Sequence, residues 1–124
     1  MTTVLIADDS KFMRGRCVSL VREMGYETVE AEDGRQAVQR YKQAKPHVVL
    51  LDITMPDVDG MTALREIMAL DPNAKVVMVT ALNQQRVAID ALKVGASDFV
   101  AKPFEPDKLK ATIEKLARNG NGRV

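Results

Sequence analysis

Short apolar runs alternate with segments of helical periodicity along the chain, and this alternation constrains the fold more than any other feature. Strict alternation of strands and helices favours a parallel sheet with helices on both faces. The second run alternates apolar and polar residues, as an edge strand does. The sequence therefore predicts an α/β domain of (βα)5 type. The predicted strands are Thr3–Ala7, Tyr26–Glu30, His47–Leu51, Lys75–Val79 and Asp98–Ala101.

The segments between the runs carry the signals that begin and end helices. Apolar residues recur at helical spacing from Met13 to Met24, and Gly25 follows at a typical helix end. Asp33 is placed to cap a second helix. Pro106 falls in the first turn of the last helix, where its missing N–H costs nothing. These signals support five helices that connect and follow the strands.

Length and charge limit the class of protein. The chain has 124 residues and a formal net charge of +1, from 18 basic and 17 acidic side chains. We assign one domain to residues 1–118 and a flexible tail to 119–124. No basic block is interleaved with aromatic residues, which argues against direct nucleic-acid binding. Without a signal peptide or membrane span in the sequence, we expect a cytoplasmic protein, and a monomer.

Polar side chains stand at the ends of the predicted strands. Carboxyl ends of parallel strands open on one edge of the sheet, and ligands bind there at the point where strand order reverses. With a strand order of 2-1-3-4-5, the first and third strands are neighbours at that point. The side chains that would meet there are Asp8 and Asp9 after the first strand, Asp52 after the third, Thr80 after the fourth and Lys102 after the fifth.

The crowding of acidic side chains in this crevice indicates a metal site. Three close carboxylates do not all stay ionised unless a cation shares the site. Hard oxygen ligands suit Mg²⁺, which keeps several waters and binds substrate phosphates. Lys102 offers a mobile charge for a phosphoryl oxygen, and Thr80 offers a hydroxyl. The expected nucleophile is a carboxylate that forms an aspartyl phosphate, while the single histidine, His47, is expected to be structural.

Four motifs, in this order, resemble the receiver domains of bacterial two-component response regulators: ADDS, VVLLDITMPDVDGM, VMVTA and DFVAKPF. The resemblance covers the whole chain. It is greatest to the single-domain chemotaxis regulators of the CheY type, since no output domain follows the final helix. The resemblance implies a flavodoxin-like fold and a signalling phosphoprotein. Such a protein is not an enzyme in the usual sense, because it catalyses only its own phosphorylation and dephosphorylation.

The resemblance also implies a role for each acidic residue. Asp52 would accept a phosphoryl group from the phosphohistidine of a histidine kinase. Asp9 would bind Mg²⁺ directly and Asp8 mainly through water. Asp52 and the backbone carbonyl of Thr54 would complete the protein ligands of the metal.

Further implied roles concern the response to phosphorylation. Thr80 and Lys102 would hold phosphoryl oxygens, and Lys102–Pro103 would be a cis peptide. Phe99 occupies the aromatic switch position, and its ring would turn inward as Thr80 moves toward the phosphoryl group. This motion would reshape the face formed by the fourth helix, the fifth strand and the fifth helix.

Two positions that tune dephosphorylation in the family lie two residues after Asp52 and two after Thr80. They are Thr54 and Leu82 here. Some relatives that dephosphorylate rapidly carry an amide and an acid at these positions. We therefore expect a longer phosphoryl lifetime in this chain.

The implied partners are a histidine kinase of the chemotaxis type, a downstream target such as a flagellar motor switch, and a possible phosphatase. An alternative is a phosphorelay intermediate that passes its phosphoryl group to a histidine phosphotransfer protein. A Mg²⁺-dependent phosphatase of the haloacid dehalogenase type would also form an aspartyl phosphate. It is disfavoured, because Thr54 stands where such enzymes place their general acid.

Overall fold

Five parallel strands alternate with five α-helices in the computed structural model. The structure describes the backbone of residues 1–122, and it describes their side chains except at residues 82 and 119–122. The strands are β1 (Thr3–Ala7), β2 (Glu27–Ala31), β3 (Val48–Asp52), β4 (Val76–Thr80) and β5 (Asp98–Ala101). The helices are α1 (Lys11–Glu23), α2 (Gly34–Ala44), α3 (Gly60–Leu70), α4 (Gln85–Val94) and α5 (Pro106–Gly122). A 3₁₀ turn, Leu82–Gln84, precedes α4.

The sheet has the order β2-β1-β3-β4-β5, and every pair of neighbours is parallel. This confirms the predicted fold, with β2 at one edge. The strand order reverses between β1 and β3, which are neighbours at the centre of the sheet. The predicted crevice therefore lies at the carboxyl ends of these two strands.

Three strands begin and end one residue later than the sequence predicted, namely β2, β3 and β4. As a result, Asp52 and Thr80 are the last residues of their strands rather than the first residues after them. The sheet hydrogen bonds continue to these positions: Ile53 N–H donates to the Val79 carbonyl, and Lys102 N–H donates to that of Thr80. Both side chains are thus anchored in the sheet itself.

Two hydrophobic cores lie on opposite faces of the sheet. Helices α2, α3 and α4 pack on one face, and α1 and α5 pack on the other. Strands β1, β3 and β4 are buried on both faces, which agrees with the continuous apolar runs of their sequences. Cys17 is buried in the core under α1. His47 lies just before β3, and its Nδ1 accepts a hydrogen bond from the backbone N–H of Thr3 at the start of β1, which agrees with a structural role.

Polar caps and one glycine place the helices against the carboxyl edge. The side chains of Ser10, Asp33 and Asp59 accept hydrogen bonds from backbone N–H groups in the first turns of α1, α2 and α3. A Cβ at Gly60 would collide with the backbone of Asp52, so only glycine lets α3 begin directly against the end of β3.

The carboxyl-terminal part of the chain includes α5, whose backbone continues to Gly122. Residues 123 and 124 lie outside the described residues, so the flexible tail over 119–124 stays a prediction. No helix within residues 1–122 is long and apolar enough to cross a membrane.

Candidate functional site

Three carboxylates converge at the carboxyl ends of β1 and β3. One oxygen from each of Asp8, Asp9 and Asp52 lies within 4.8 Å of the others. Asp8 and Asp52 are buried, whereas Asp9 is exposed. Among the described residues, this is the one cluster of three or more acidic, histidine or cysteine side chains close enough to share a metal ion. The convergence predicted from the strand ends is thus present in the structure.

Lys102 projects its ammonium group between two of these carboxylates. Its Nζ lies 3.2 Å from Asp8 Oδ2 and 3.1 Å from Asp52 Oδ2. The residue follows β5, and its backbone N–H donates to the Thr80 carbonyl at 2.6 Å. The Lys102–Pro103 peptide bond is cis, as the resemblance implied. Lys102 therefore connects the outer strands of the site to its acidic centre.

Burial and like charge both act on the titration of this cluster. Burial raises the pKa of Asp52, Asp8 adds to the rise, and Lys102 opposes it without cancelling it. Burial tends to lower the pKa of Lys102, but its attraction to Asp52 and Asp8 outweighs that effect and leaves it raised. One ammonium thus contacts two of the three carboxylates, and the oxygen donors that remain fit a hard divalent cation.

Arg14 is a member of the site that the sequence analysis missed. Its Nη1 donates to the Asp8 backbone carbonyl at 2.7 Å, and its Nε donates to Glu30 Oε1 at 2.9 Å. The Asp8 carboxylate also accepts a hydrogen bond from Ser10 N–H at 2.9 Å. The available signal was spacing, because Arg14 shares the buried face of α1 with Cys17, Val18 and Val21. A cation at a core-facing helical position indicates a specific partner.

Thr80 contributes a hydroxyl with an unusual environment. The residue is fully buried at the end of β4, and its Oγ1 has no hydrogen-bond partner among the described residues. An unsatisfied buried polar group costs on the order of 1–3 kcal/mol. The Thr80 hydroxyl is therefore a candidate hydrogen-bond donor to a ligand or a modification at the neighbouring acidic cluster, which would supply the acceptor that it lacks.

The loop after β3 is connected to the loop after β4. Thr54 N–H donates to Asp52 Oδ1 at 3.4 Å, and Thr54 Oγ1 accepts a hydrogen bond from Gln84 Nε2 at 2.6 Å. Gln84 carried no signal in the sequence, because its partner lies 30 residues away. Phe99, the expected switch residue, is half-buried against the core under α2, α3 and α4. The side chain of Leu82 lies outside the described structure.

The fold and the acidic site define a class of protein, and comparison with known families agrees. The family model of the response regulator receiver domain matches residues 4–114 of the sequence, and the chain belongs to this family. It is 48% identical over 119 residues to the chemotaxis protein CheY of Listeria monocytogenes, covering 95% of this chain and 100% of the relative. It is 45% identical over 116 residues to CheY of Thermotoga maritima, covering 93% and 97% respectively.

Solved structures support the same assignment. A response regulator receiver domain protein from Clostridium thermocellum superposes over 100% of both chains with a TM-score of 0.95 and 25% identity. A chain in the crystal structure of the CheX–CheY–BeF₃–Mg²⁺ complex from Borrelia burgdorferi matches with a TM-score of 0.87 and 36% identity. That match covers 93% of this chain and 88% of the other. The chain is therefore a receiver domain similar to chemotaxis proteins of the CheY type.

Proposed function

We propose that this receiver accepts a phosphoryl group on Asp52 from the phosphohistidine of a histidine kinase, in a reaction that requires Mg²⁺. The observation that carries the proposal is the position of Asp52. Its buried carboxylate lies at the switch point of the sheet, beside Asp8 and in contact with Lys102 Nζ at 3.1 Å. Oxygen donors and an ammonium around one reactive carboxylate suit phosphoryl transfer.

Each residue of the site has a role in this reaction. An Asp52 carboxylate oxygen attacks phosphorus, and the new O–P bond forms as the P–N bond to histidine breaks. Lys102 stays protonated and holds the transferred oxygens, which its raised pKa favours. The buried Thr80 hydroxyl, unpaired within the described residues, gains an acceptor on the phosphoryl group. Phosphoryl transfer depends mainly on this kind of positioning and charge stabilisation.

The cofactor in this proposal is Mg²⁺, and the residues present fit it. Asp8, Asp9 and Asp52 supply carboxylate oxygens, and Thr54 supplies its backbone carbonyl. When bound, the ion neutralises charge on the carboxylates and on the phosphoryl oxygens. Asp8 and Asp52 are nearly inaccessible to solvent, so water alone compensates their charges poorly.

The response to phosphorylation begins at Thr80. Phosphorylation replaces the single charge of Asp52 with nearly two charges and strong acceptor oxygens. Thr80 moves toward these acceptors, and the Phe99 ring turns into the space that it leaves. Because Phe99 lies on β5, the change reaches the face formed by α4, β5 and α5. On α4, Ile89 and Leu92 are exposed apolar side chains.

The proposed pathway is chemotaxis signalling, which the names of the similar proteins support. The partners are then a chemotaxis-type histidine kinase, a downstream target such as a flagellar motor switch, and a phosphatase. The Borrelia CheY relative has been crystallised with a protein partner, CheX. A phosphorelay in which a histidine phosphotransfer protein takes the phosphoryl group is the second pathway. The proposal places the protein in the cytoplasm as a monomer.

Intact mass after incubation with acetyl phosphate tests the phosphoacceptor. We expect wild type to gain one phosphoryl group with Mg²⁺ and none in EDTA. Asp52→Asn should gain none under either condition. Asp57→Asn is the matched control, because Asp57 is an exposed carboxylate in the loop after β3 and should not affect the adduct. An adduct on Asp52→Asn, or none on wild type, contradicts the proposal.

A further inference from the structure

The side-chain amide of Gln84 uses both of its ends to connect two loops. Its Oε1 accepts a hydrogen bond from Ala81 N–H at 2.9 Å, and its Nε2 donates to Thr54 Oγ1 at 2.6 Å. Ala81 directly follows Thr80, and Thr54 lies two residues after Asp52. One side chain thus ties the segment after β4 to the segment after β3, the strand that ends at the candidate phosphoacceptor Asp52.

Only one of these two bonds is explained by the start of a helix. A glutamine three residues into a helix commonly accepts a hydrogen bond from the N-cap backbone N–H, and Gln84 does this for Ala81. Such an arrangement leaves the amide nitrogen free to face water. Here the nitrogen is bound to Thr54, 30 residues away in the chain. The second bond is therefore a tertiary contact, specific to the loops around Asp52.

The bond to Ala81 restrains the residue that must respond to phosphorylation. The Thr80 hydroxyl is buried without a partner among the described residues, and in the proposed function it moves to meet a phosphoryl oxygen on Asp52. A shift of Thr80 carries the adjacent Ala81 N–H with it and strains its bond to Gln84. A phosphoryl oxygen is also a stronger acceptor for that N–H than a neutral amide.

We propose that Gln84 is a positioning residue of the phosphoryl-transfer reaction. Bound to Thr54 and Ala81, it latches the segment after Thr80 in its unphosphorylated arrangement, and the phosphorylated arrangement requires the latch to open. This inference rests on the proposed function of Asp52. Because the latch stabilises only one of the two arrangements, its removal shifts the equilibrium toward the other.

Phosphorylation by acetyl phosphate with Mg²⁺ measures this shift. Gln84→Met removes both hydrogen bonds and keeps the length of the side chain. Gln85→Met is the matched control, since Gln85 is exposed and makes no side-chain hydrogen bond within the described structure. We expect the steady-state ratio of phosphorylated to unphosphorylated protein to rise about 5-fold or more in Gln84→Met, because each of the two lost hydrogen bonds contributes a factor of about 2 to 10. Gln85→Met should match wild type.

A double-mutant cycle with Thr54→Val separates the latch from a general weakening of α4. Thr54→Val removes the side-chain acceptor and keeps the shape of the loop. Because this position also tunes dephosphorylation in the family, the decay rate of each phosphorylated variant is measured and divided out, and the corrected ratio should rise in the same direction. The double variant should exceed the larger single effect by little, because both substitutions break one connection. A purely structural role would lower the free energy of unfolding and leave the ratio of phosphorylated protein unchanged.

The outcomes distinguish this inference from the proposed function. Equal ratios in Gln84→Met and Gln85→Met, or additive effects of Gln84→Met and Thr54→Val, overturn the latch. If wild type gains no phosphoryl group, the proposed function has failed instead. In that case, amide hydrogen exchange at Ala81 tests the latch without any need for phosphorylation. Exchange should be faster in Gln84→Met than in wild type, and an unchanged rate contradicts the inference.

Discussion

Ionisation of the Asp52 carboxyl carries a cost in the folded protein. Burial holds the pKa of Asp52 above its usual value, since Lys102 offsets only part of the penalty and Asp8 adds to it. A group with a higher pKa in the folded protein than in the unfolded chain stabilises the folded protein fully when the pH is below its unfolded pKa. That stabilisation is lost as the pH rises through the folded pKa. Without a metal ion, the Asp52 carboxylate therefore destabilises the protein at pH 7.

We predict that Asp52→Asn raises the free energy of unfolding at pH 7 in EDTA, by on the order of 1 kcal/mol. The gain should disappear near pH 3, where the carboxyl is protonated in both states. It should also disappear in saturating Mg²⁺, which binds wild type more tightly. Urea unfolding measures all three conditions, with Asp57→Asn as the exposed control. A loss of stability for Asp52→Asn in EDTA would contradict this account of the site.

Cys17 gives a second pH dependence, on the alkaline side. Burial, and then the negative charge of Asp8, raise the pKa of the thiol from 9.0 to about 11. The protonated Cys17 thiol therefore stabilises the folded protein fully below pH 9. This stabilisation is lost between pH 9 and 11, because the thiol loses its proton at a lower pH in the unfolded chain than in the folded protein. The loss from this one thiol should reach about 1.4 kcal/mol by pH 10.

Urea unfolding of wild type and Cys17→Ala at pH 8 and pH 10 tests this prediction. The cavity left by the smaller side chain lowers the free energy of unfolding equally at pH 8 and pH 10. The quantity compared between the two proteins is therefore the decrease in the free energy of unfolding from pH 8 to pH 10. Tyr41, whose pKa is also raised by burial and by its hydrogen bond to Asp71, contributes equally to both proteins. Cys17→Ala should decline less than wild type. Equal declines would show that the Cys17 thiol titrates normally.

Helix α1 fixes the acidic site through Arg14, whose hydrogen bonds reach both the Asp8 carbonyl and Glu30 on β2. We predict that Arg14→Met weakens Mg²⁺ binding about 10-fold, because groups that orient metal ligands typically have effects of this size. Arg22→Met is the control. Arg22 also joins α1 to β2, through Thr28 Oγ1, but it is exposed and does not contact Asp8. Titration calorimetry with Mg²⁺ should show reduced affinity in Arg14→Met alone.

The order of strands and helices was predictable, because each element carries its own signal. The continuous apolar runs of β1, β3 and β4 and the capping side chain of Asp33 depend on neighbouring residues in the chain. The ends of β3 and β4 were each predicted one residue short. Hydrogen bonds to adjacent strands extend the sheet through Asp52 and Thr80, and no local pattern encodes those bonds.

The candidate site was also predictable in part. Parallel strands bring their carboxyl ends together, so Asp8, Asp9 and Asp52 could be placed near one another from sequence alone. Gln84 could not, because its significance depends on a hydroxyl 30 residues away. Arg14 lies between these cases, since its position on the buried face of α1 was visible while its partners were not. Local signals thus located the candidate site, and tertiary contacts add Arg14 and Gln84 around it.

The two cores share one sheet, and this joins the site to both helical layers. In β1, Leu5 points into the core under α2, α3 and α4, while Ile6 points into the core under α1 and α5. A displacement of one layer therefore disturbs strands on which the other depends. We expect the protein to unfold in a single transition, as small single domains usually do.

Matched truncations in the two cores test this cooperativity. Ile67 on α3 and Ile113 on α5 are fully buried on opposite sides of the sheet, whereas Leu92 on α4 is 38% exposed. Ile67→Ala and Ile113→Ala should each lower the free energy of unfolding by about 2–5 kcal/mol, and Leu92→Ala by less. Amide exchange should accelerate in both layers for either core variant, because the sheet opens as one unit. Acceleration confined to the mutated layer would show that the two layers unfold independently.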